Sequence, residues 1–193
     1  MMMNVVRSCL VAAILLGGPV LAQQPTGQDM ETYYRQAARY ASFGRYGEAL
    51  TCYQSALSLA QRTYGPSDER GLTPLEKIYE THVRLQNWSA AELDRRQALQ
   101  IIDFCHGKDD PVPVARERVR LASFLAERQR YPECEAMYRQ AIDSVASDPI
   151  AASNEGPGWM AELANVLRID EKPKEADQWE ARARRIRTNR FDH

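Results

Sequence analysis

The chain repeats itself every 42 or 43 residues, and that period limits the folds open to it. Ala49, Ala91, Cys134 and Ala176 stand at equivalent positions, in steps of 42, 43 and 42. Seven residues beyond each stand Ala56, Ala98, Ala141 and Ala183, and three residues before each stand Tyr46, Trp88, Tyr131 and Pro173. Gly65 recurs as Gly107. A unit of this length that holds small and aromatic residues in register is one supersecondary element. It buries its apolar face only by stacking on its neighbours.

Each unit reads as two helices. In the first, Tyr33, Gln36, Ala37 and Tyr40 form a helical stripe, followed by a turn at Phe43-Gly44-Arg45 and a second stripe of Ala49, Tyr53, Ala56 and Leu57. These spacings are those of one helix face. Leu75, Ile78, Tyr79 and His82 open the second unit, Leu121, Ala122 and Leu125 the third, and Met160, Leu163, Ala164 and Leu167 the fourth. Thr73-Pro74-Leu75-Glu76 has the form of a capping box with proline at the first helical position, so a helix is expected from Pro74. Residues 67–72 read as a separate turn, and Ser147–Gly158, rich in Gly and Pro, reads as the longest loop. No strand pattern appears. The fold class is all-α: an α-solenoid of about four antiparallel helix pairs, with copies near 31–66, 67–110, 111–150 and 155–188.

The remaining segments are read separately. Residues 1–22 carry Arg7, an apolar run from Cys9 to Leu16, a Gly17-Gly18-Pro19 break and the small-residue ending Val20-Leu21-Ala22. That is the layout of a cleaved signal peptide. Export follows, into the periplasm if the cell is bacterial and by secretion otherwise. Residues 23–30 read as a linker and 189–193 as a tail. The apolar run is short for a membrane span, and none follows it. A net charge of −1 argues against nucleic acid as a partner.

The run Phe43-Gly44-Arg45-Tyr46-Gly47-Glu48-Ala49-Leu50, followed by Tyr53, Ala56 and Leu57, resembles the tetratricopeptide repeat, or TPR. The 42-residue period, with Gly65 and Gly107 after the second helices, is similar to the longer variant in kinesin light chains. Copy two departs with Tyr79 at a small site and Arg95 at the Tyr53 site; copy four departs with Pro173 and Arg184. The resemblance implies a concave groove lined by the first helix of each pair, a peptide or protein partner and no catalysis. Transferred by position, the groove residues are Tyr34, Ala38 and Ala41; Glu76, Lys77, Glu80 and Arg84; Arg116, Val119, Arg120, Ser123 and Glu127; and Ala161, Asn165 and Arg168. Lys77, Arg84, Arg116, Arg120, Asn165 and Arg168 form a basic, amide-bearing strip suited to a carboxylate or acidic segment. Two readings stay open for it, an acidic-ligand site and a solvated face neutralised by Glu76, Glu80 and Glu127.

Other chemistry has thin support. His82, His106, Cys52, Cys105 and Cys134 show no metal-ligand spacing, and no cofactor motif occurs. His82 is expected in the core and Cys134 as a buried thiol. A Cys52–Cys105 bridge is geometrically poor, whereas pairing of either cysteine with another chain is an alternative. Carboxylates are expected on solvent faces or in first helical turns, and no nucleophile–base–acid set is visible. The basic end, residues 182–190, reads as a helix terminus whose cations complement its dipole, or as a peripheral contact with anionic headgroups at the envelope. Asn87-Trp88-Ser89 is a formal glycosylation sequon in a turn where Trp88 is packed, and reads as chance. Two further alternatives to a groove binder are carried. One is an assembly factor that stacks end to end through Trp159, Trp179 and apolar neighbours. The other is a hydrolase.

Overall fold

The computed structural model describes residues 27–107 and 109–189. The expected signal peptide, residues 23–26 of the linker and residues 190–193 of the tail lie outside the described residues. The helices are α1 (Gly27–Ser42), α2 (Tyr46–Tyr64), α3 (Leu72–Arg84), α4 (Trp88–Cys105), α5 (Pro111–Glu127), α6 (Tyr131–Ser144), α7 (Pro149–Asn154), α8 (Gly156–Ile169) and α9 (Pro173–Asn189). A 3-10 turn, Glu69–Gly71, precedes α3. The described residues contain no strand. The pairs are α1–α2, α3–α4, α5–α6 and α8–α9, and each second helix packs on the first helix of the next pair.

One turn closes all four pairs. Gly44, Gln86, Gln129 and Glu171, five residues before the four repeat markers, all have left-handed φ angles of 50–70°. The following amide reaches back into the first helix each time: Arg45 to Tyr40, Asn87 to His82, Arg130 to Leu125 and Lys172 to Leu167, at 2.8–3.0 Å. This is a Schellman closure. Copy one uses glycine, which adopts this φ without Cβ strain; the other three hold side chains there.

The repeat markers are the innermost residues. Ala49, Ala91, Cys134 and Ala176 are fully buried, as are Ala37, Ala122 and Ala164 at the small site of the first helices. The stripe on α1 runs through Tyr34, Ala37, Tyr40 and Ala41, which pack on Ile78 and the second helix. The expected Gln36 is instead exposed. Helix α3 begins at Leu72, not Pro74, and Gly71 precedes it with no side-chain cap, so the Thr73–Glu76 box does not form. Much of the expected 147–158 loop is helical: the Asp148 side chain accepts from the Ile150 and Ala151 amides and starts α7, and α8 begins at Gly156. Helix α1 reaches back to Gly27, into the expected linker.

Both end faces are polar. Ile78, Leu121 and Leu163 are buried on the first helices of copies two to four, as are Thr81, Phe124 and Val166. The copy-one equivalents are Gln36 and Arg39, both exposed. At the other end, Tyr53, Arg95 and Tyr138 are buried under the following pair, and the α9 equivalent is Glu180. Trp159 is buried in the core rather than at an end, and Trp179 packs from its edge. Trp159 is therefore not presented at an end face.

Charged groups also lock two inner joints. Glu92 on α4 accepts from Arg130, at the turn of the next copy, while Arg96 spans Glu92 and Glu133. One repeat later Glu135 accepts from Lys172 at 2.8 Å, and Arg139 spans Glu135 and Glu175. Four positions recur in register, and the same bridge recurs with them. Between copies one and two those positions hold Leu50, Gln54, Asn87 and Ala90, and the joint is apolar, with Tyr53 against Ile78.

Candidate functional site: a mixed-charge track across α1, α3 and α5

The carboxylates do not all face solvent. Glu117 is 1% exposed and Glu135 is 6% exposed. Glu117 sits at the joint of copies two and three, facing Arg95, itself buried. Arg95 donates to both oxygens of Glu76 (2.7 and 3.1 Å) and to Glu117 (3.4 Å). Its guanidinium also lies 3.8 Å from the Tyr79 ring centroid. Arg120 completes the set by donating to Glu117 at 2.9 Å. Burial works against the Arg95 charge, but the charges of Glu76 and Glu117 outweigh it and raise its pKa above that of an ordinary arginine. The two departures noted in copy two, Tyr79 and Arg95, are thus partners in one buried cluster.

Above this cluster lies a cleft of about 350 Å³ between α3 and α5. Leu72, Thr73, Glu76 and Lys77 form one wall, Glu117 and Arg120 the other, and Ala98 and Ile102 of α4 the floor. Thr73 also borders a second cleft of about 360 Å³, shared with Met30, Glu31, Tyr34, Tyr64 and Arg70. Thr73 borders both recesses, which together mark a track along the first helices of copies one to three.

Of the predicted groove residues, Tyr34, Glu76, Lys77 and Arg120 lie on this track. Tyr34 is only partly available. Its ring lies tilted against Tyr53 with centroids 6.0 Å apart, its hydroxyl is buried without a hydrogen-bond partner among the described residues, and burial with the nearby Tyr53 pushes its pKa up to about 12. Arg84, Arg116, Asn165 and Arg168 line neither recess. Arg116 pairs with Glu155, and Arg168 with Asp177 and Glu180. Lys77 pairs with Glu80 at 2.8 Å. The strip is therefore not a free row of cations. Arg70, Leu72, Thr73, Ile102 and Glu117 were missed by position transfer. An arginine at the Tyr53 register was the available signal, because a buried cation requires a nearby carboxylate.

A larger cleft, of about 840 Å³, lies beside the 65–70 connection and the end of α4. Its polar groups are engaged internally. Asp68 holds Arg70 at 2.7 Å, His106 contacts Glu69 through Nε2, and the Cys105 thiol donates to the Ser67 carbonyl at 3.2 Å. His106 Nδ1 faces Asp110 at 3.6 Å. Both ring nitrogens thus face carboxylates, while burial and the charges of Glu69 and Asp68 raise the Cys105 pKa. That arrangement keeps the sulfur protonated, which opposes a nucleophilic role. Among the described residues no three His, Cys, Asp or Glu side chains converge as a metal cage, and no helix is long and apolar enough to cross a membrane.

The remaining expectations divide. His82 is buried, with Nδ1 2.6 Å from Asp94. Cys52, Cys105 and Cys134 are all free; Cys134 is fully buried, and burial with the charge of Glu135 pushes its thiol up to about 12. Cys52 is buried too and is not placed for pairing with another chain. In the basic end, Arg187 donates to the Pro157 carbonyl at 3.3 Å, Arg184 faces Glu180 at 3.5 Å and Arg182 lies 5.2 Å from the Trp179 ring centroid.

Residues 31–69 match the family model of the tetratricopeptide repeat. No curated protein matches the sequence. Among solved structures, BtubC (BKLC) from P. vanneervenii is similar with a TM-score of 0.65 at 19% identity, over 85% of this chain and 65% of that one. This chain therefore spans just under two thirds of that protein. A kinesin light chain-type protein of Podosopora anserina with nearly identical TPR-like repeats gives a TM-score of 0.62 at 15% identity, over 83% of this chain and 75% of that one. A single-substitution variant of it gives 0.64 at 14% identity, over 85% and 78%. At these identities the likeness concerns fold. The described residues have the all-α fold of a TPR-like solenoid, similar to those structures, and residues 31–69 match the tetratricopeptide repeat.

Proposed function

We propose that the chain is an exported, non-enzymatic interaction module that holds a peptide or protein segment along the track over α1, α3 and α5. TPR repeats generally mediate protein–protein interaction, and the track supplies a site for it. The observation that carries the reading is that Thr73 borders both recesses, and that the α3–α5 cleft has an apolar floor and charged walls. The α3–α5 cleft has two cations, Lys77 and Arg120, against two carboxylates, Glu76 and Glu117. A uniformly acidic ligand would gain little there. An amphipathic segment fits better, with apolar side chains over Leu72 and Ile102 and a mixture of charges exchanging with the wall pairs. Export rests on the 1–22 signal-peptide pattern, and it makes the partner an envelope or extracellular protein.

The test is affinity capture from cell-envelope extract with three forms of the chain. The parent and Arg84→Glu, which lies off the track, retain the partner. Thr73→Trp, which fills the junction of the two recesses from an exposed position, loses it. Equal capture by all three forms would overturn the assignment.

A further inference from the structure

The inner joints supply a template for what the two ends can do. At each locked joint, the residue after the repeat marker of one copy is acidic, and the residue four before the next marker is basic: Glu92 with Arg130, and Glu135 with Lys172. The last copy has Asp177 at the first of these positions, exposed on α9. The first copy has Arg45 at the second, exposed at the α1–α2 turn. The chain thus carries the two halves of one more joint, at opposite ends.

A second pair falls in the same register. At the joint of copies three and four the Tyr138 hydroxyl donates to Glu162 at 2.9 Å. The equivalents at the ends are Glu180 on α9 and Arg35 on α1, of opposite charge. Where Asp177 and Glu180 of a preceding copy would arrive, the first copy has a recess of about 340 Å³ walled by Arg39 and Arg45, with the exposed Phe43 ring at its rim. The ends are polar, but they are not electrically alike.

Existing pairs do not close these groups off. Arg45 bonds Glu48 at 2.6 Å, and at the inner joint Arg130 bonds Glu133 at 2.6 Å while also reaching Glu92 across the joint. Asp177 and Glu180 already accept from Arg168, at 3.2 and 2.8 Å, and Glu180 faces Arg184 at 3.5 Å; at the inner joint Glu92 likewise takes Arg96 locally and Arg130 across the joint, so a local partner and a cross-joint partner are compatible. Arg35 holds Glu31 only at 3.7 Å, with both side chains well exposed.

We propose that the occupant of each end face is a second copy of this chain, stacked head to tail, with Asp177 and Glu180 of one copy set against Arg45 and Arg35 of the next. The contact is heterologous and does not close on itself, so it propagates as a short filament. It is electrostatic and lacks an apolar centre, so it is weak and salt-sensitive.

The test is small-angle X-ray scattering of the purified chain over a concentration series. At roughly 20 mM salt the apparent mass climbs with concentration, and at roughly 500 mM, where the screening length is only a few ångströms, the climb disappears. Arg45→Glu and Asp177→Arg each create a like-charge junction, and each weakens self-association about tenfold. Mixed one to one, the two variants associate again, because both junctions in the mixture pair opposite charges. Circular dichroism checks that both variants are folded. Three results would overturn the proposal: a parent that stays monomeric throughout the low-salt series, single variants that associate as well as the parent, or a mixture that does not recover.

Discussion

Replacing Arg95 with methionine tests whether copy two is held by its buried charges. The substitution removes a guanidinium that bonds Glu76 twice and Glu117 once, and that stacks on Tyr79. Glu76 is 42% exposed, so water replaces its lost partner at little cost. Glu117 is 1% exposed and has no such route, although Arg120 still donates to it at 2.9 Å. Breaking a buried pair from one side costs about 3–5 kcal/mol; the Arg120 contact puts this case at the lower end, about 3 kcal/mol. For a chain of this length that lowers the melting temperature by roughly 6–12 °C. Removing both charges strands neither, so Arg95→Met with Glu117→Met returns to within about 1 kcal/mol of the parent. The assay is urea unfolding followed by far-UV circular dichroism. A single variant that loses less than about 1 kcal/mol, or a double variant no better than the single, would refute the reasoning.

Three smaller predictions follow from the same geometry. Gln129→Gly relieves a φ of 60° in the α5–α6 turn and raises stability by about 0.5–1 kcal/mol, read from the urea midpoint; a loss would mean the side chain contributes more than the strain costs. Burial opposes ionisation of Glu92, but hydrogen bonds from Arg96 and Arg130 hold its pKa below the usual range. A depressed folded pKa adds stability above the unfolded value, near 4.3, and that stability is lost as pH falls through the folded value. Glu92→Gln therefore flattens the acid limb of a stability–pH profile, and an unchanged slope would contradict the assignment. Under native conditions a thiol reagent modifies Cys105 first and slowly, whereas Cys134 reacts only on unfolding, with mass spectrometry as the readout; early labelling of Cys134 would mean the third pair opens.

The helix pairs were legible because the small markers Ala49, Ala91, Cys134 and Ala176 need close helix approach, and few residues allow it. The turns were legible only in part. Gly44 announces a positive φ, but Gln86, Gln129 and Glu171 adopt the same angle with nothing in their side chains to signal it. Asp148-Pro149 is a helix start by its chemistry, since the carboxylate accepts two amides and the proline sits at the first helical position. It read as loop because glycines and prolines cluster just beyond it. Position transfer found Tyr34, Glu76, Lys77 and Arg120 but not the company they keep. Whether a first-helix cation is free depends on acids from other elements, as with Arg116 and Glu155 or Arg168 and Glu180, and sequence spacing does not show those meetings. Glu117 went unread for the opposite reason. It occupies a register position where its equivalents are Pro74 and Trp159, and only its partner Arg95 explains a charge there.

The claim that the partner lies along the track is tested most directly by hydrogen–deuterium exchange on the complex with the captured protein. Protection at residues 70–77 and 117–120, with α6 and α9 unchanged, is the result predicted. Protection confined to the second helices or to the 104–106 cleft, with the 70–77 segment exchanging as in the free chain, would contradict it.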